Sequence, residues 1–215
     1  MRIVALDFET ANESRSSACA LGLSWLATDG GLSTESRLIR PREPRFSGMN
    51  IAIHGIHPED VAGQPEFPEV WSSMIADRMP DLVLAHNASF DISVLRACFD
   101  LYGLPWPTFS YLCTVKLARA LWPDLPDHKL STVARHLDVD LIHHHAGSDA
   151  MACAAIARAA LAETGQTDLL ATAAALGIAA GNLFPGGYTP CSSRSRGPGR
   201  RQPGRRSPWR SAGWL

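Results

Sequence analysis

Lysine is nearly absent from this chain: 215 residues hold two, Lys116 and Lys129, against 18 arginines. Cysteine is sparse and scattered, at 19, 98, 113, 153 and 191, with no Cys-x-x-Cys pair. That pattern excludes a zinc ribbon and a disulfide framework, and predicts reduced thiols in a cytoplasmic protein. No apolar run approaches the ~20 residues needed to cross a bilayer, so no membrane association is expected. A secretory leader is not expected either, because the short apolar run after Met1-Arg2 meets Asp7 and Glu9 at once. What the chain does have is apolar bulk. Hydrophobic residues make up 46%, which excludes a fully disordered chain and supplies a sizeable core. The length suits one domain, at roughly 150 residues per domain.

The formal net charge of -1 hides a split. Residues 186–215 carry seven arginines and no acid, which leaves -8 on residues 1–185. Bulk neutrality therefore says little about a polyanionic partner. From Gly186-Gly187 onward the composition turns to Arg, Ser, Pro and Gly. Residues 186–215 are therefore expected to form a disordered tail behind a domain at 1–185. Such a tail would either hold nucleic acid electrostatically or be a solvated extension.

Residues 2–6, 18–27 and 32–39 read as strands, with a hairpin signal at Asp29-Gly30-Gly31. Residues 40–48 read as loop. Phe67, Val70, Trp71, Met74 and Ile75 recur at helical spacing within 67–79, and Leu82–Ala85 reads as a buried strand. Helices are expected over 89–102, 114–121, 129–137, 149–163 and 168–176, with a further strand at 111–113. Three early strands followed by alternating strands and helices predict an α/β fold, a mixed sheet flanked by helices.

Asp7 and Glu9 sit where the first strand is expected to end, and strand alternation points both to one face. Two such carboxylates repel unless a cation lies between them; a solvated strand end is the alternative. Asp91 falls in the first turn of a helix after a buried strand, where ligands of α/β sheets bind. Alternatively, Ser89 caps that helix and Asp91 complements its dipole. His143-His144-His145 precedes Asp149 at the start of an Ala-rich helix. Five helical residues rotate by about 500°, so His144 converges with Asp149 only from a loop. The three histidines also fit a zinc-binding tract or an exposed turn. Taken together, four carboxylates with one histidine make an oxygen-rich set that suits Mg²⁺ or Mn²⁺. Two such ions about 3.5–4 Å apart clamp a phosphodiester displacement, and a histidine can take the proton of the attacking water.

These segments resemble the DEDDh branch of the DnaQ-like 3′–5′ exonucleases, the family of polymerase proofreading subunits and RNase T. Asp-Phe-Glu-Thr at 7–10 is similar to its first motif, His-Asn-Ala-Ser-Phe-Asp at 86–91 to its second, and His144-x4-Asp149 followed by Ala150 to its third. Ile53-His54-Gly55-Ile56 and Lys129-Leu130-Ser131 match secondary signatures, and the matching segments span roughly 1–163. The resemblance implies a ribonuclease H-like fold. It also implies two-metal hydrolysis that releases nucleoside 5′-monophosphates from a 3′ end. By position, Asp7, Glu9, Asp91 and Asp149 become metal ligands and His144 the general base. His145 stands where the sister branch has tyrosine and is a rival base by proximity. The same correspondence makes Phe8, Thr10, His54, Ile56, Asn87 and Phe90 candidate substrate contacts, with ordinary core packing as the alternative for Ile56 and Phe90 and capping of the following helix for Asn87. The implied partner is nucleic acid with a 3′ end, DNA ahead of RNA, and a DNA polymerase is a candidate associate in proofreading or repair. A catalytically silent binding module is the competing class; it leaves unexplained why all five chemical positions are filled.

Overall fold

A computed structural model describes residues 1–75 and 78–194. The chain opens with β1 (Ile3–Thr10), β2 (Ala18–Leu26) and β3 (Leu32–Leu38), followed by α1 (Gly48–His54), α2 (Pro58–Val61) and α3 (Phe67–Ile75). Next come β4 (Leu82–Ala85), α4 (Ala88–Leu101), β5 (Phe109–Cys113), α5 (Thr114–Leu121), α6 (Leu130–His136), α7 (Ala146–Thr164) and α8 (Leu169–Ala175). The described part ends with β6 (Ile178–Ala179), β7 (Gly181–Phe184), β8 (Gly187–Thr189) and β9 (Ser192–Ser193).

Seven strands form one mixed sheet in the order β3-β2-β1-β4-β5-β7-β8. β1 pairs antiparallel with β2 and parallel with β4, so it is central and its side chains are covered on both faces. Alternation along β1 sorts them. Val4, Leu6 and Phe8 join the larger core, where α3 and α4 contribute Phe67, Trp71, Met74, Ile92, Leu95 and Phe99. Ala5 joins the opposite core, with Cys153, Ala154 and Ala157 of α7 and Leu117 of α5. Asp7 and Glu9 continue the Ala5 row, so both carboxylates face the α7 side.

The α7 face needs small residues because helix and sheet approach closely. Eight buried alanines along α7 provide that, and Gly22 of β2 provides the tightest point. Gly22 pairs with Asp7 across the β1–β2 ladder. A Cβ there would overlap the Ala146 carbonyl and lie 2.5 Å from the Gly147 nitrogen. Only glycine lets the first turn of α7 rest on the strand beside Asp7.

Several expectations change in the structure. β1 runs to Thr10 rather than stopping before Asp7, because β2 pairs it over its whole length. The stretch after the expected 40–48 loop contains α1, begun by the Ser47 side chain accepting from the Asn50 N–H, and α2, begun by Pro58 after His57. α3 ends at Ile75 within the described residues, and Arg78–Pro80 are not helical. The expected boundary at 185 does not hold for residues 187–193. β8 extends the main sheet against β7, and β9 pairs with β6. Backbone pairing there does not require apolar side chains, so polar composition misleads. The arginine-rich remainder from 195 lies outside the described residues. Among the described residues no helix is long and apolar enough to cross a membrane, and all five cysteines are unpaired.

Gly22→Ala is expected to destabilise the protein by about 1–3 kcal/mol, the usual cost of overpacking against backbone. Chemical denaturation measures this; an unchanged midpoint would show that α7 sits less tightly on β2 than described.

Candidate metal and catalytic site

The site forms where β1 outruns its parallel neighbour. β4 pairs with β1 only as far as Ala5, so beyond that point the edge of β1 on that side has no ladder partner. The Phe8 N–H is donated instead to Asp91 Oδ1 at 3.1 Å. Asp91 is 2% exposed and sits in the first turn of α4. Ser89 does not cap that helix with its side chain. The cap is Asn87, in the left-handed region at φ 72°, and the Ser89 hydroxyl donates to Asn87 Oδ1.

From the other face α7 brings Asp149, 5% exposed. Its Oδ2 accepts the His144 N–H at 3.1 Å, which holds His144 at a φ of 60° just before the helix. Neither Ser148 nor Asp149 caps α7. His145 does, its Nδ1 accepting from the Ser148 N–H at 3.3 Å. His144 therefore reaches Asp149 from a loop, as the spacing between them requires. Its ring is exposed and stacks on His143 at 4.4 Å.

One oxygen each from Asp7, Glu9 and Asp149 lies within 4.8 Å of the others. Donor atoms of His143, His144 and Asp149 gather equally closely. Asp91 adjoins the first group: after burial, its charge is the strongest influence raising the Asp7 carboxyl. Burial, then the charges of Asp149 and Asp91, push Glu9 up to about 8. Asp91 is also raised by burial, partly offset by the Phe8 N–H bond and the nearby charge of Arg15. Burial raises Asp149, while His143 and the His144 N–H pull it down. Asp149 Oδ1 is buried without a hydrogen-bond partner among the described residues. A row of crowded carboxylates and an unspent buried oxygen fits a hard divalent cation and gives zinc or copper no sulfur to prefer.

The remaining candidates divide. The Phe8 ring is buried against Phe67 at 6.4 Å, so its contribution to the site is its N–H rather than a stacking face. Both ring nitrogens of His54 are engaged: Nε2 donates to the Thr10 carbonyl at 3.1 Å, and Nδ1 accepts from the Ile56 N–H at 3.0 Å. Thr10 is buried, and its hydroxyl oxygen accepts from Asn50 Nδ2. These two residues tie α1 to the end of β1. The Phe90 ring packs on the core and is covered by the Arg15 guanidinium at 4.3 Å. Asn87 is exposed and Ile56 half-buried. Sequence reasoning missed Gly22, Asn50 and Arg15. A glycine inside an expected strand was the one available signal, since it marks close backbone approach.

The sequence model of the exonuclease family (RNase_T) matches residues 4–157. The DNA polymerase III PolC-type of Halalkalibacterium halodurans is 34% identical over 109 residues, covering 51% of this chain and 8% of that protein. The PolC-type polymerase of Bacillus cereus is 29% identical over 144 residues, covering 66% of this chain and 10% of that one. This chain thus spans a tenth or less of the length of these relatives. Exonuclease X in complex with 5′ overhanging duplex DNA superposes with a TM-score of 0.62 at 26% identity, covering 76% of this chain and 93% of that one. Exonuclease I from Methylocaldum szegediense shares the fold, with a TM-score of 0.63 at 17% identity over 77% of this chain and 41% of that one.

Raised carboxyl pKa values make the metal-free protein alkali-sensitive. A carboxyl whose folded value lies above its unfolded value of about 4 stabilises the fold below that pH, and the contribution is lost as pH rises through the folded value. For Glu9 that loss runs up to about 8. In EDTA the melting temperature is expected to fall between pH 5 and pH 9, and Mn²⁺ is expected to raise it far more at pH 8 than at pH 5. A Mn²⁺ effect equal at both values, or absent, would separate these acids from metal binding.

Proposed function

The chain belongs to the exonuclease family of DnaQ-like, ribonuclease H-like enzymes, and from that premise we propose that it removes nucleotides from the 3′ end of DNA as nucleoside 5′-monophosphates. The observation that carries the reading is the meeting of Asp7, Glu9 and Asp149 oxygens within 4.8 Å, with one buried Asp149 oxygen unspent. DNA is favoured over RNA because the relatives are PolC-type DNA polymerases and Exonuclease X is seen on duplex DNA. Association with a DNA polymerase in proofreading or repair belongs to the same proposal, since the relatives carry the matching segment within a polymerase chain.

Asp7, Glu9, Asp91 and Asp149 are the ligands for two Mg²⁺ or Mn²⁺ ions, which when bound offset negative charge on the phosphate and acidify water. The chain's own residues supply the rest. The Phe8 N–H orients Asp91, and the His144 N–H orients Asp149. An imidazole nitrogen of His144 takes the proton of the water that attacks phosphorus. The bond from phosphorus to the O3′ of the penultimate nucleotide breaks with its electron pair going to O3′, which takes a proton from solvent water to become the 3′-hydroxyl of the shortened strand. His145 is unsuited to that part because its Nδ1 is engaged as the α7 cap. Met49 and Ile53, 76% and 48% exposed on one side of α1, offer an apolar surface for the terminal base beside Ile56. The Asn87 amide adds a polar contact. Base stacking of this kind tolerates any sequence.

Stepwise shortening of 5′-labelled single-stranded DNA is expected with Mg²⁺ or Mn²⁺, and none in EDTA. A matched panel of duplex DNA and single-stranded RNA ranks the substrates; RNA shortened faster than DNA would replace the substrate assignment, and no shortening of any would overturn the enzyme reading. Asp7→Asn is expected to abolish activity with the fold retained by circular dichroism. A second comparison separates the histidines. His144→Ala is expected to lower kcat by about 10²–10⁴, the range for a general base. His145→Ala is expected to cost about 0.5–2 kcal/mol of stability, as cap removal does, with kcat within about tenfold. Equal effects on kcat would break the assignment.

A further inference from the structure

The acidic site has one cation held at its edge, and the proposed chemistry does not use it. Arg15 lies in the loop between β1 and β2, exposed, with its guanidinium over the Phe90 ring at 4.3 Å. Phe90 directly precedes Asp91, and the Arg15 charge is felt at that carboxylate. Yet Arg15 forms no ion pair among the described residues. Its neighbour Arg45 is already committed to Glu13, at 2.7 and 3.2 Å. Arg15 thus combines a fixed position with donors left unspent. A guanidinium stacked on an aromatic face has already given up much of its rotamer freedom, and its planar fork matches phosphate oxygens.

Its side of the site is also defined. Phe90 packs on the core beneath α3 and α4, whereas His144 arrives with α7 on the opposite face of the sheet. Arg15 therefore bears on Asp91 from the α4 side of the sheet, while His144 meets Asp149 on the α7 side, so the two groups flank the carboxylates.

We propose that Arg15 is a substrate-positioning cation that grips a backbone phosphate of the retained strand, one that is not itself cleaved. This rests on the exonuclease reading above and adds to it a phosphate subsite outside the carboxylate cluster. Residues 1–185, carrying -8, repel a nucleic-acid strand, and a positive group fixed beside the carboxylates offsets that repulsion locally.

Two substrates distinguish this role. A single-stranded oligodeoxynucleotide has retained phosphates; the p-nitrophenyl ester of thymidine 5′-monophosphate has the scissile one alone. Arg15→Gln is expected to lower kcat/KM on the oligonucleotide by about tenfold or more, the worth of one charged hydrogen-bonded contact, mainly through KM. Hydrolysis of the ester is expected to stay within about twofold, and Arg15→Lys to recover part of the loss. The slope of log kcat/KM against log salt is expected to become shallower by about 0.7, one phosphate on a single strand. Equal loss on both substrates would show that Arg15 acts through Phe90 and Asp91 on the chemistry, and no loss on either would remove it from the substrate path; both overturn the proposal. Oligonucleotide binding by fluorescence anisotropy in Ca²⁺ gives a reading independent of turnover. If the wild-type protein hydrolyses nothing, the exonuclease reading fails by itself. Arg15 then stands or falls on whether Arg15→Gln weakens that binding.

Discussion

The burial of four neighbouring carboxyls, Asp7, Glu9, Asp91 and Asp149, is the constraint around which the site is organised. Burial pushes all four upward, and the charges of neighbouring carboxylates add to it at Asp7, Glu9 and Asp91. No side-chain lysine or arginine is paired with any of them among the described residues. The backbone does the holding instead. The Phe8 N–H fixes Asp91 and the His144 N–H fixes Asp149, so two of the acids are oriented by dipoles that cannot move away. Amide dipoles orient a carboxylate without neutralising it, which leaves its charge available to a cation. An arginine in their place would have filled the site permanently.

That arrangement depends on two faces of one strand doing different work. Val4, Leu6 and Phe8 anchor β1 in the aromatic core, while Asp7 and Glu9 on the alternate face meet α7. Phe8 is therefore not merely a spacer between two acids. Its ring sets the depth of the strand, and its N–H sets the orientation of Asp91 from the next helix. Gly22 has the complementary role on β2, since the first turn of α7 reaches Asp7 only over a residue without a side chain. Packing and chemistry meet in these two residues, so a change at either is felt at the acids without touching them.

The sheet strands of the first half, the α3 core stripe and the gathering of Asp7, Glu9 and Asp149 were legible in the sequence because each follows a strict period or a short motif. Phe67, Val70, Trp71, Met74 and Ile75 all lie inside the structure at the spacing that announced them. α1 was not legible: Gly48 and Asn50 are weak helix formers, and the helix buries no residue, so neither propensity nor periodicity marks it. The short strands β8 and β9 were hidden for a related reason, since backbone pairing leaves no compositional trace. The contacts expected of His54 and Phe8 looked functional by position, but long-range partners consume them: the Thr10 carbonyl for His54 and Phe67 for Phe8. Partners 44 and 59 residues away are fixed by topology, which a single sequence does not display.

Asp149 and His144 are joined by a backbone hydrogen bond at the start of α7. His144 is exposed and adopts a left-handed backbone conformation, uncommon for a residue with a side chain. The bond from its N–H to Asp149 Oδ2 offsets part of that cost. That bond joins the Asp149 carboxylate to the His144 backbone, so each helps to fix the other's position. Asp149 and His144 are thus held together at the start of α7, with His145 capping the helix. The loop position that the five-residue spacing demanded is therefore what lets a ring nitrogen of His144 come within 4.8 Å of an Asp149 oxygen.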